Sequence, residues 1–585
     1  MRAWMLCGAL LFSLHQGKMN SKTFRNKIMI SNKIVFITSL AAVLLIYCSA
    51  EYFKKTWNLK SIPPKAHYQK ASLLPTKGKI SGILTYPATK QNNNAIYNAR
   101  KFVDVTAATQ RRGAKLRVTQ KHGYKIPIST NITCSTSAKN SRIKILNRGK
   151  PHTVGDTLHA QVEMYDFTNR RKLYGGDFLL ARIFSPRLGA ASSGVVTDLG
   201  NGVYDVRFTL FWPGDSSLAF TLVHASEAVS VLDRVRETVP DKVTFMGTFV
   251  SGKSSEVTQC HIFLNTAKQV CDFTDPHLHE PWMCEKPRML PCSSLLTMKS
   301  LSKYGNVFNE EETKFFTRDR IWVTIPMSYK IHVAPSTGLL QRNTHCVMGL
   351  GNPSPAGYYF KNTWKSSYCN NAYFSSPSSV KNCLKGKQIF LLGDSTIGQW
   401  FKYLNHFTKG FKIVDRDLPG KDVQNIADDE YNITLNWFYH NYPFIATRIT
   451  FKKDFRYIAQ RIDNITGGSD TVIAISLGAH FTPFPLHVFQ TRMHNIKAAV
   501  EKLLIRSPET KVIVKLSNVR ENSGVAIFNN WNTFKLNQVL LEVFKTMNVA
   551  FIDAWDMTAV LNSAKIHPNE HIIKNQIDSF LSFIC

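Results

Sequence analysis

A short apolar segment that ends in Gly-Asp-Ser is the strongest constraint on how this chain folds. The apolar run Ile389–Leu392 leads directly into Gly393-Asp394-Ser395, and Thr396–Phe401 continues with helical spacing. This order predicts a buried parallel strand, a tight turn and a helix. Such a turn holds the Ser395 hydroxyl at the carboxyl end of the strand, beside amides that can stabilise an oxyanion. Because Gly-Asp-Ser is also common in ordinary turns and helix N-caps, it indicates catalysis only together with a base.

A histidine near the C-terminus can supply that base, since a serine nucleophile needs a neutral imidazole within hydrogen-bond reach. Val549–Asp553 predicts a late strand, and His567-Pro568 lies in a loop farther along the chain. In a doubly wound sheet the loops after the strands gather at one edge. Ser395 and His567 can therefore meet there, although 172 residues separate them. The proline stiffens the loop, which suits a base that must be held in place.

The strand, the Gly-Asp-Ser turn and the terminal His-Pro together resemble the SGNH/GDSL esterase superfamily, and specifically its PC-esterase branch. Four earlier segments resemble the neurexophilin-like half of the neurexophilin and PC-esterase domain family. They are Gly175–Phe178, Asp198–Tyr204, Phe211–Gly214 and Leu222–Val229. The resemblance covers roughly residues 75 to 585. It implies an N-terminal immunoglobulin- or filamin-like β-sandwich and a C-terminal, doubly wound SGNH-like α/β domain, with Ser395 and His567 as catalytic residues.

The superfamily pattern places an aspartate three residues before the histidine, where it orients the imidazole, and this chain has Ala564 there. Three arrangements remain open. Asp553 or Asp556 supplies the carboxylate, a backbone carbonyl orients the ring of a Ser-His dyad, or the domain binds without catalysing. The difference matters because loss of the orienting carboxylate in serine proteases costs about 10⁴-fold in rate.

A second strand-then-loop segment carries the predicted oxyanion site. Val472–Ser476 predicts a strand, and the following loop falls where the superfamily places its oxyanion asparagine. This chain has Gly478 and His480 there instead. The expected donors are the amides of Ser395 and Gly478 and the ring of His480. The alternative for His480 is a loop histidine packed against phenylalanines. Asp394 is expected to cap the helix or support the loop.

Length, composition and charge narrow the classes of function. A chain of 585 residues suggests about two to four domains, and a hydrophobic content of 44% excludes wholesale disorder. The formal net charge of +33 favours a polyanionic partner, which is nucleic acid, anionic lipid headgroups or acidic glycans. The compartment decides among these three.

An uncharged segment near the N-terminus predicts a membrane anchor. Ile34–Ala50 is 17 residues long, five basic residues between Lys18 and Lys33 precede it, and Glu51 follows it. Such a length suits the thin membranes of the early secretory pathway, and the positive flank favours a cytoplasmic N-terminus. We therefore expect a type II signal-anchor protein with its body in the Golgi lumen. The alternative is a cleaved signal and a secreted protein.

Cysteine placement indicates the same oxidising compartment. Four cysteines between residues 260 and 292 predict a disulfide-stapled module, which we favour over a zinc site built from Cys271, His277, His279 and Cys284. No metal site is expected. The cysteines beyond the apolar segment number nine, which is odd, so one thiol stays free or bridges to another chain. The pairing of the others remains open. The nine cysteines beyond the apolar segment are Cys134, Cys260, Cys271, Cys284, Cys292, Cys346, Cys369, Cys383 and Cys585.

Three glycosylation sequons, at Asn131, Asn432 and Asn464, support the luminal compartment. A luminal body makes nucleic acid a poor partner and acidic, sialylated glycans the natural match for the charge. Composition and hydrophobic pattern divide the chain into six segments: a cytoplasmic tail (1–33), a signal anchor (34–50), a basic stem (51–125), a β-sandwich (126–250), a Cys-rich bridge (251–384) and a parallel α/β domain (385–585). The resemblance implies that the β-sandwich is neurexophilin-like and that the last segment is a PC-esterase domain.

The resemblance implies glycan O-acyl chemistry. We expect an O-acetyltransferase that uses acetyl-CoA, without a bound cofactor, to acetylate sialylated or other acidic glycans through an acyl-Ser395 intermediate. One alternative is a glycan O-acetyl esterase, in which water resolves the same intermediate. The other is a secreted or membrane-bound glycoprotein with an inactive esterase domain, which binds a cell-surface receptor as neurexophilins do.

Overall fold

The computed structural model of the chain describes residues 131–301, 307–336, 344–414, 425–443, 449–521 and 526–585, all of which lie in the compact unit 112–585. The predicted tail, signal anchor and stem lie outside these residues. Within the described ranges, we find no helix with the length and apolarity that a membrane crossing requires.

The N-terminal region is built mainly from strands. In chain order they are β1 (Arg142–Ile145), β2 (His152–Thr153), β3 (Thr157–Glu163), β4 (Phe178–Ser185), β5 (Ala190–Ser193), β6 (Val195–Asp198), β7 (Val203–Thr209) and β8 (Gly214–His224), followed by helix α1 (Ser226–Thr238).

The middle of the chain supplies further short strands and two helices. They are β9 (Phe245–Ser251), β10 (Ser254–His261), β11 (Val270–Asp272), β12 (Met283–Glu285), β13 (Leu295–Ser300), α2 (Glu310–Thr313), β14 (Val323–Thr324), β15 (Lys330–Ala334), β16 (Gly357–Phe360), β17 (Thr363–Ser366) and α3 (Pro377–Leu384).

Two sheets form the β-rich N-terminal region. One has the order β1-β3-β7-β6, and the other has the order β17-β16-β5-β4-β8-β15-β2, with β14 paired to β8. Alternate residues of the strands, such as Leu158, Ala160 and Val162 in β3, enter one shared core, as the period of two predicts. Strands from segment 323–366 complete the second sheet, which joins the predicted bridge to the sandwich.

The remaining strands and helices form the C-terminal region. They are β18 (Gln388–Gly393), α4 (Ser395–Thr408), β19 (Lys412–Ile413), β20 (Asn425–Asp428), β21 (Ile433–Tyr439), β22 (Thr450–Phe451), α5 (Ile458–Asp463), β23 (Thr471–Ser476), α6 (Leu486–Arg506), β24 (Lys511–Lys515), α7 (Asn530–Phe544), β25 (Ala550–Ile552), α8 (Ala554–Ala559) and α9 (Glu570–Ile584).

The C-terminal sheet has the order β19-β20-β21-β18-β23-β24-β25, and its last five strands run parallel. Helices cover both faces. Ile389 and Leu391 of β18 enter a core with residues of α4 and α9, whereas Leu392 enters a second core with α5, α6 and α7. Burial on both faces explains why these strands are continuous apolar runs. The predicted succession of a β-rich region and an α/β region is confirmed.

A fourth sheet, β11-β12-β10-β9-β13-β22, carries the cysteine cluster of residues 260 to 292. The disulfide prediction is confirmed, and the bonds are Cys260–Cys284, Cys271–Cys292, Cys346–Cys369 and Cys383–Cys585. Cys271 and Cys284 are thus taken by disulfides and cannot serve as zinc ligands. Among the cysteines of the described residues, Cys134 is the free thiol. The acceptor residues of the three sequons are exposed.

The Cys383–Cys585 bond closes a loop of 202 residues and joins the end of α9 to α3. Because long loops lose the most unfolded-state entropy when they are closed, we expect the double variant Cys383→Ser/Cys585→Ser to lose about 2–5 kcal/mol of unfolding free energy. Chemical denaturation of the purified protein measures the loss, with Cys134→Ser as the matched control. Equal stability of the two variants would contradict the structural role of this bond.

Candidate active site

The turn that presents Ser395 is possible only with glycine at position 393. Gly393 has a φ of +148°, and a Cβ placed on it would lie 1.7 Å from the carbonyl oxygen of Ser476. The next amide, that of Asp394, donates to the same oxygen at 2.8 Å. Strand β18 lies between β21 and β23, at the point where the order of the parallel strands reverses. Ligand sites of open α/β sheets lie at the carboxyl ends of strands at such a point.

The structure brings Ser395 and His567 together. Nε2 of His567 lies 2.8 Å from Oγ of Ser395, which is the distance of a direct hydrogen bond. Ser395 is half-buried at the first turn of α4, and His567 is exposed in the loop between α8 and α9. A proton can therefore pass from the hydroxyl to the imidazole without rearrangement.

Three side chains that the sequence analysis missed hold the loop of His567. Asn518 Nδ2 donates to the carbonyl of Ile566 at 2.8 Å, and the amide of Ile566 donates to Glu521 Oε1 at 3.0 Å. Gln399 Nε2, from α4, donates to the carbonyl of Pro568 at 2.8 Å. For Asn518 and Glu521 the one signal in the sequence is position, because they follow β24 at the carboxyl edge of the sheet.

Asp394 organises the turn and does not face the reacting atoms. Its fully buried side chain accepts from the amide of Thr396 at 2.9 Å and from the Thr396 hydroxyl at 2.7 Å through Oδ1. Its Oδ2 accepts from the amide of Ala479 at 2.9 Å. Asp394 is therefore the N-cap of α4 and also the link between the Ser395 turn and the Gly478 loop.

A buried lysine lies beneath this carboxylate. Lys515 Nζ donates to the Thr396 hydroxyl at 3.3 Å and to the carbonyl of Leu516 at 3.2 Å. Burial lowers the pKa of Lys515 to about 8, and the negative charge of Asp394 opposes that shift. The two opposite charges compensate each other below the nucleophile turn.

The predicted oxyanion amides lie at the ends of two neighbouring helical segments. Ser395 begins α4, and Gly478 begins the short 3₁₀ turn Gly478–His480, so neither amide has a partner within its own helix. A Cβ on Gly478 would lie 2.1 Å from the Ser517 hydroxyl. The Asp394–Ala479 hydrogen bond holds the two segments together. Their joint action on an oxyanion stays a prediction.

The ring of His480 belongs to a buried histidine pair. Its Nδ1 lies 2.7 Å from Nε2 of His440, and Nδ1 of His440 lies 2.7 Å from the carbonyl oxygen of Asn441. Burial lowers the pKa of His480 to about 4 and holds that of His440 well below its ordinary value of 6.5, so both rings are neutral. Because the carbonyl can only accept, the pattern assigns an Nδ1 proton to each ring. In this tautomer His480 lacks the Nε2 proton that the predicted oxyanion donation needs.

Asp553 and Asp556 do not contact His567. Asp553 accepts from Asn352 Nδ2 at 2.8 Å and from the amide of Asp556 at 2.8 Å. Asp556 accepts from the Ser193 hydroxyl at 2.5 Å and from the amide of Ala356 at 2.9 Å. Burial, followed by the charge of Asp553, raises the pKa of Asp556 to about 7. The pair joins α8 to the β-rich region. Of the three arrangements that the sequence left open, the one in which Asp553 or Asp556 orients His567 has no supporting contact among these hydrogen bonds.

The electrostatics of His567 suit a base. Although His567 as a residue is exposed, partial desolvation of its imidazole lowers its pKa below the ordinary value of 6.5, with smaller contributions in the same direction from Lys515 and Arg520. Asp394 and Glu521 oppose this shift. The imidazole is therefore mainly neutral at pH 7 and able to accept the Ser395 proton.

Two protein-family models match the chain. The neurexophilin model matches residues 117–307, and the model of the C-terminal domain of "NXPE family member 4-like" proteins matches residues 364–585, which include Ser395 and His567. The chain belongs to the neurexophilin and PC-esterase domain (NXPE) family. Membership, the disulfides and the exposed sequons indicate a glycoprotein of the secretory pathway.

Among solved structures, a putative glycoside hydrolase from Bacteroides vulgatus ATCC 8482 is similar at 11% identity and a TM-score of 0.13. The match covers 53% of this chain and spans about half of that protein, 52% of its length. A likeness at this TM-score carries no argument about fold or function.

The geometry of the turn generates a stability prediction. We expect Gly393→Ala to lose about 3 kcal/mol or more, because the added Cβ would overlap a backbone carbonyl and because alanine disfavours this φ. Gly351→Ala is the matched control, since a Cβ there meets no atom within 4 Å. Thermal unfolding of both purified variants measures the effect. A Gly393→Ala protein as stable as the control would contradict the described turn.

Proposed function

We propose that this protein is a luminal O-acyltransferase that acetylates glycans through an acyl-serine intermediate on Ser395. The observation that carries the proposal is the 2.8 Å contact between His567 Nε2 and Ser395 Oγ at the carboxyl end of β18. The five parallel strands, the helices on both faces and the position of Ser395 support an SGNH-like domain.

The reaction needs two acyl transfers at one serine. Ser395 Oγ attacks the acyl carbonyl of the donor, for which we propose acetyl-CoA, while His567 Nε2 accepts the hydroxyl proton. The amides of Ser395 and Gly478 stabilise the oxyanion. When the tetrahedral adduct of Ser395 and the acyl donor collapses, the donor's thiol leaves with the proton from His567, and the acyl-serine remains. A sugar hydroxyl then attacks the acyl-serine, His567 accepts its proton, and that proton returns to Ser395 Oγ as the acetylated sugar leaves.

For the acceptor we propose sialylated or otherwise acidic glycans. The net charge of +33 attracts polyanions, and a luminal compartment supplies acidic glycans rather than nucleic acid. The Golgi lumen, with a type II anchor at residues 34–50, is the compartment that we propose for this activity. A secreted form is the alternative.

The decisive test is the O-acetylation of cellular glycans, measured by mass spectrometry in cells that lack this protein. Re-expression of the wild type should raise O-acetylation, whereas Ser395→Ala and His567→Ala should leave it at the level of the deficient cells. Ser469→Ala, at an exposed serine outside the site, is the matched control and should act like wild type. All variants are checked for secretory transport and folding.

The sign of the change separates three functions. A fall in O-acetylation that depends on Ser395 would identify an esterase, in which water takes the place of the sugar hydroxyl. No change in any glycan, with folded protein in the lumen, would contradict acyl-serine catalysis altogether.

The pKa of His567 generates a prediction for pH dependence. Because the base must be neutral and its pKa lies below 6.5, activity should fall as the pH drops through a midpoint below 6.5 and stay level above it. The pH profile of kcat/KM with a chromogenic acetyl ester measures this midpoint. A midpoint above 6.5 would contradict the described environment of His567.

One observation favours a second function. The neurexophilin match over residues 117–307 covers much of the β-rich region, which contains no comparable catalytic pair among the residues the structure describes. We propose receptor binding through this region as the alternative. It would survive Ser395→Ala and His567→Ala in a cell-surface binding assay, because neither side chain lies in that region.

A further inference from the structure

Within the residues that the structure describes, no carboxylate is hydrogen-bonded to the imidazole of His567, whereas an aspartate holds this position in a serine triad. Position 564 carries only the methyl group of Ala564. Asp553 and Asp556 accept from Asn352, Ser193 and two backbone amides, and neither is bonded to His567. With Ser395 and His567 alone, the imidazolium that forms when His567 takes the Ser395 proton would have no compensating negative charge.

Two carboxylates act on the charge of His567 and raise its pKa, those of Asp394 and Glu521. Both carboxylate oxygens of Asp394 already accept hydrogen bonds, Oδ1 from Thr396 and Oδ2 from the amide of Ala479. Glu521 differs, because it is half-buried and only its Oε1 is bonded, to the amide of Ile566 at 3.0 Å. Within the described part of the chain, its Oε2 has no hydrogen-bond partner.

The chain around Glu521 is held in place. The amide of Arg520 donates to Asn530 Oδ1 at 2.9 Å, and Asn518 is fully buried. Asn518 and Glu521 bind the carbonyl and the amide of Ile566, the residue directly before His567. A carboxylate is thus fixed one residue from the catalytic base, on a segment far from it in sequence.

We infer that Glu521 is the positioning carboxylate of His567. It takes the role of the aspartate that the superfamily pattern has at the position of Ala564. The inference rests on the proposed acyl-serine function. When His567 Nε2 takes the Ser395 proton, the ring becomes a cation, and the ionised Glu521 stabilises that charge while its Oε1 holds the loop. The proton stays on His567 and is not passed to Glu521.

The test uses a fluorophosphonate probe on the purified full-length protein. Ser395 Oγ attacks the phosphorus, fluoride leaves, and His567 accepts the hydroxyl proton, so the labelling rate measures activation of the serine. We expect Glu521→Gln to slow labelling about 10- to 100-fold, less than the loss of a triad aspartate, because Glu521 contacts the loop and not the ring. Its pH midpoint should also move down, because one of the two carboxylates that raise the pKa of His567 is gone.

Rescue separates a positioning role from a structural one. Ala564→Asp restores a carboxylate at the exposed position 564 and should return the labelling rate of Glu521→Gln toward the wild-type value. Glu501→Gln, at an exposed glutamate of α6, is the matched control and should label like wild type. Thermal unfolding of each variant accompanies the rates.

Two results would overturn the inference while Ser395 labelling in the wild type remains intact. One is a Glu521→Gln protein with the rate and pH midpoint of wild type. The other is a slow Glu521→Gln protein whose pH midpoint is unchanged and whose rate Ala564→Asp does not restore. Failure of the wild type to label faster than Ser395→Ala would instead overturn the proposed function, and the inference with it.

Discussion

The hydrogen bonds of one buried carboxylate hold the site together. Asp394 caps α4 through Thr396 and binds the amide of Ala479, so the turn that carries Ser395 and the loop that carries Gly478 have a common anchor. A carboxylate buried without a compensating charge would be costly, and Lys515 supplies that charge from the next strand but one. The proposed nucleophile, Ser395, and the proposed oxyanion amides are therefore positioned before any substrate arrives.

The base depends on a second set of contacts, and these reach beyond the parallel sheet. Polar groups of the loop after β24 and of α4 hold both sides of His567. Helix α8 lies directly before the loop that carries His567. It is joined to the β-rich region by Asp556, which accepts from the Ser193 hydroxyl and the Ala356 amide. The carboxylates that the sequence analysis considered for catalysis thus brace the two regions against each other. The β-rich region is a structural support of the site as well as a candidate binding surface.

Local patterns were good predictors where the structure depends on local chemistry. The apolar run, Gly393 and the helical spacing after Ser395 predicted strand, turn and helix, because glycine is required where a Cβ would meet the carbonyl of Ser476. The His567 loop was predictable for a similar reason, since parallel strands bring their following loops to one edge. Disulfide bonding itself was predictable from the oxidising compartment and the number of cysteines. The four pairings were not predictable, because they depend on which segments lie side by side in the fold.

The sequence alone predicted the Ser395 turn, the meeting of Ser395 with His567, the order of β-rich and α/β regions and an oxidising compartment, since each depends on short-range pattern or residue type. Only the tertiary structure decided which carboxylate stands near His567. Glu521 and Asp553 both follow strands of the same sheet, and nothing in their neighbours along the chain distinguishes them. In the folded chain Asp553 accepts a hydrogen bond from Asn352, and Glu521 accepts one from the amide of Ile566. Long-range packing makes that distinction, because a side chain's partners are set by contacts between segments far apart in sequence.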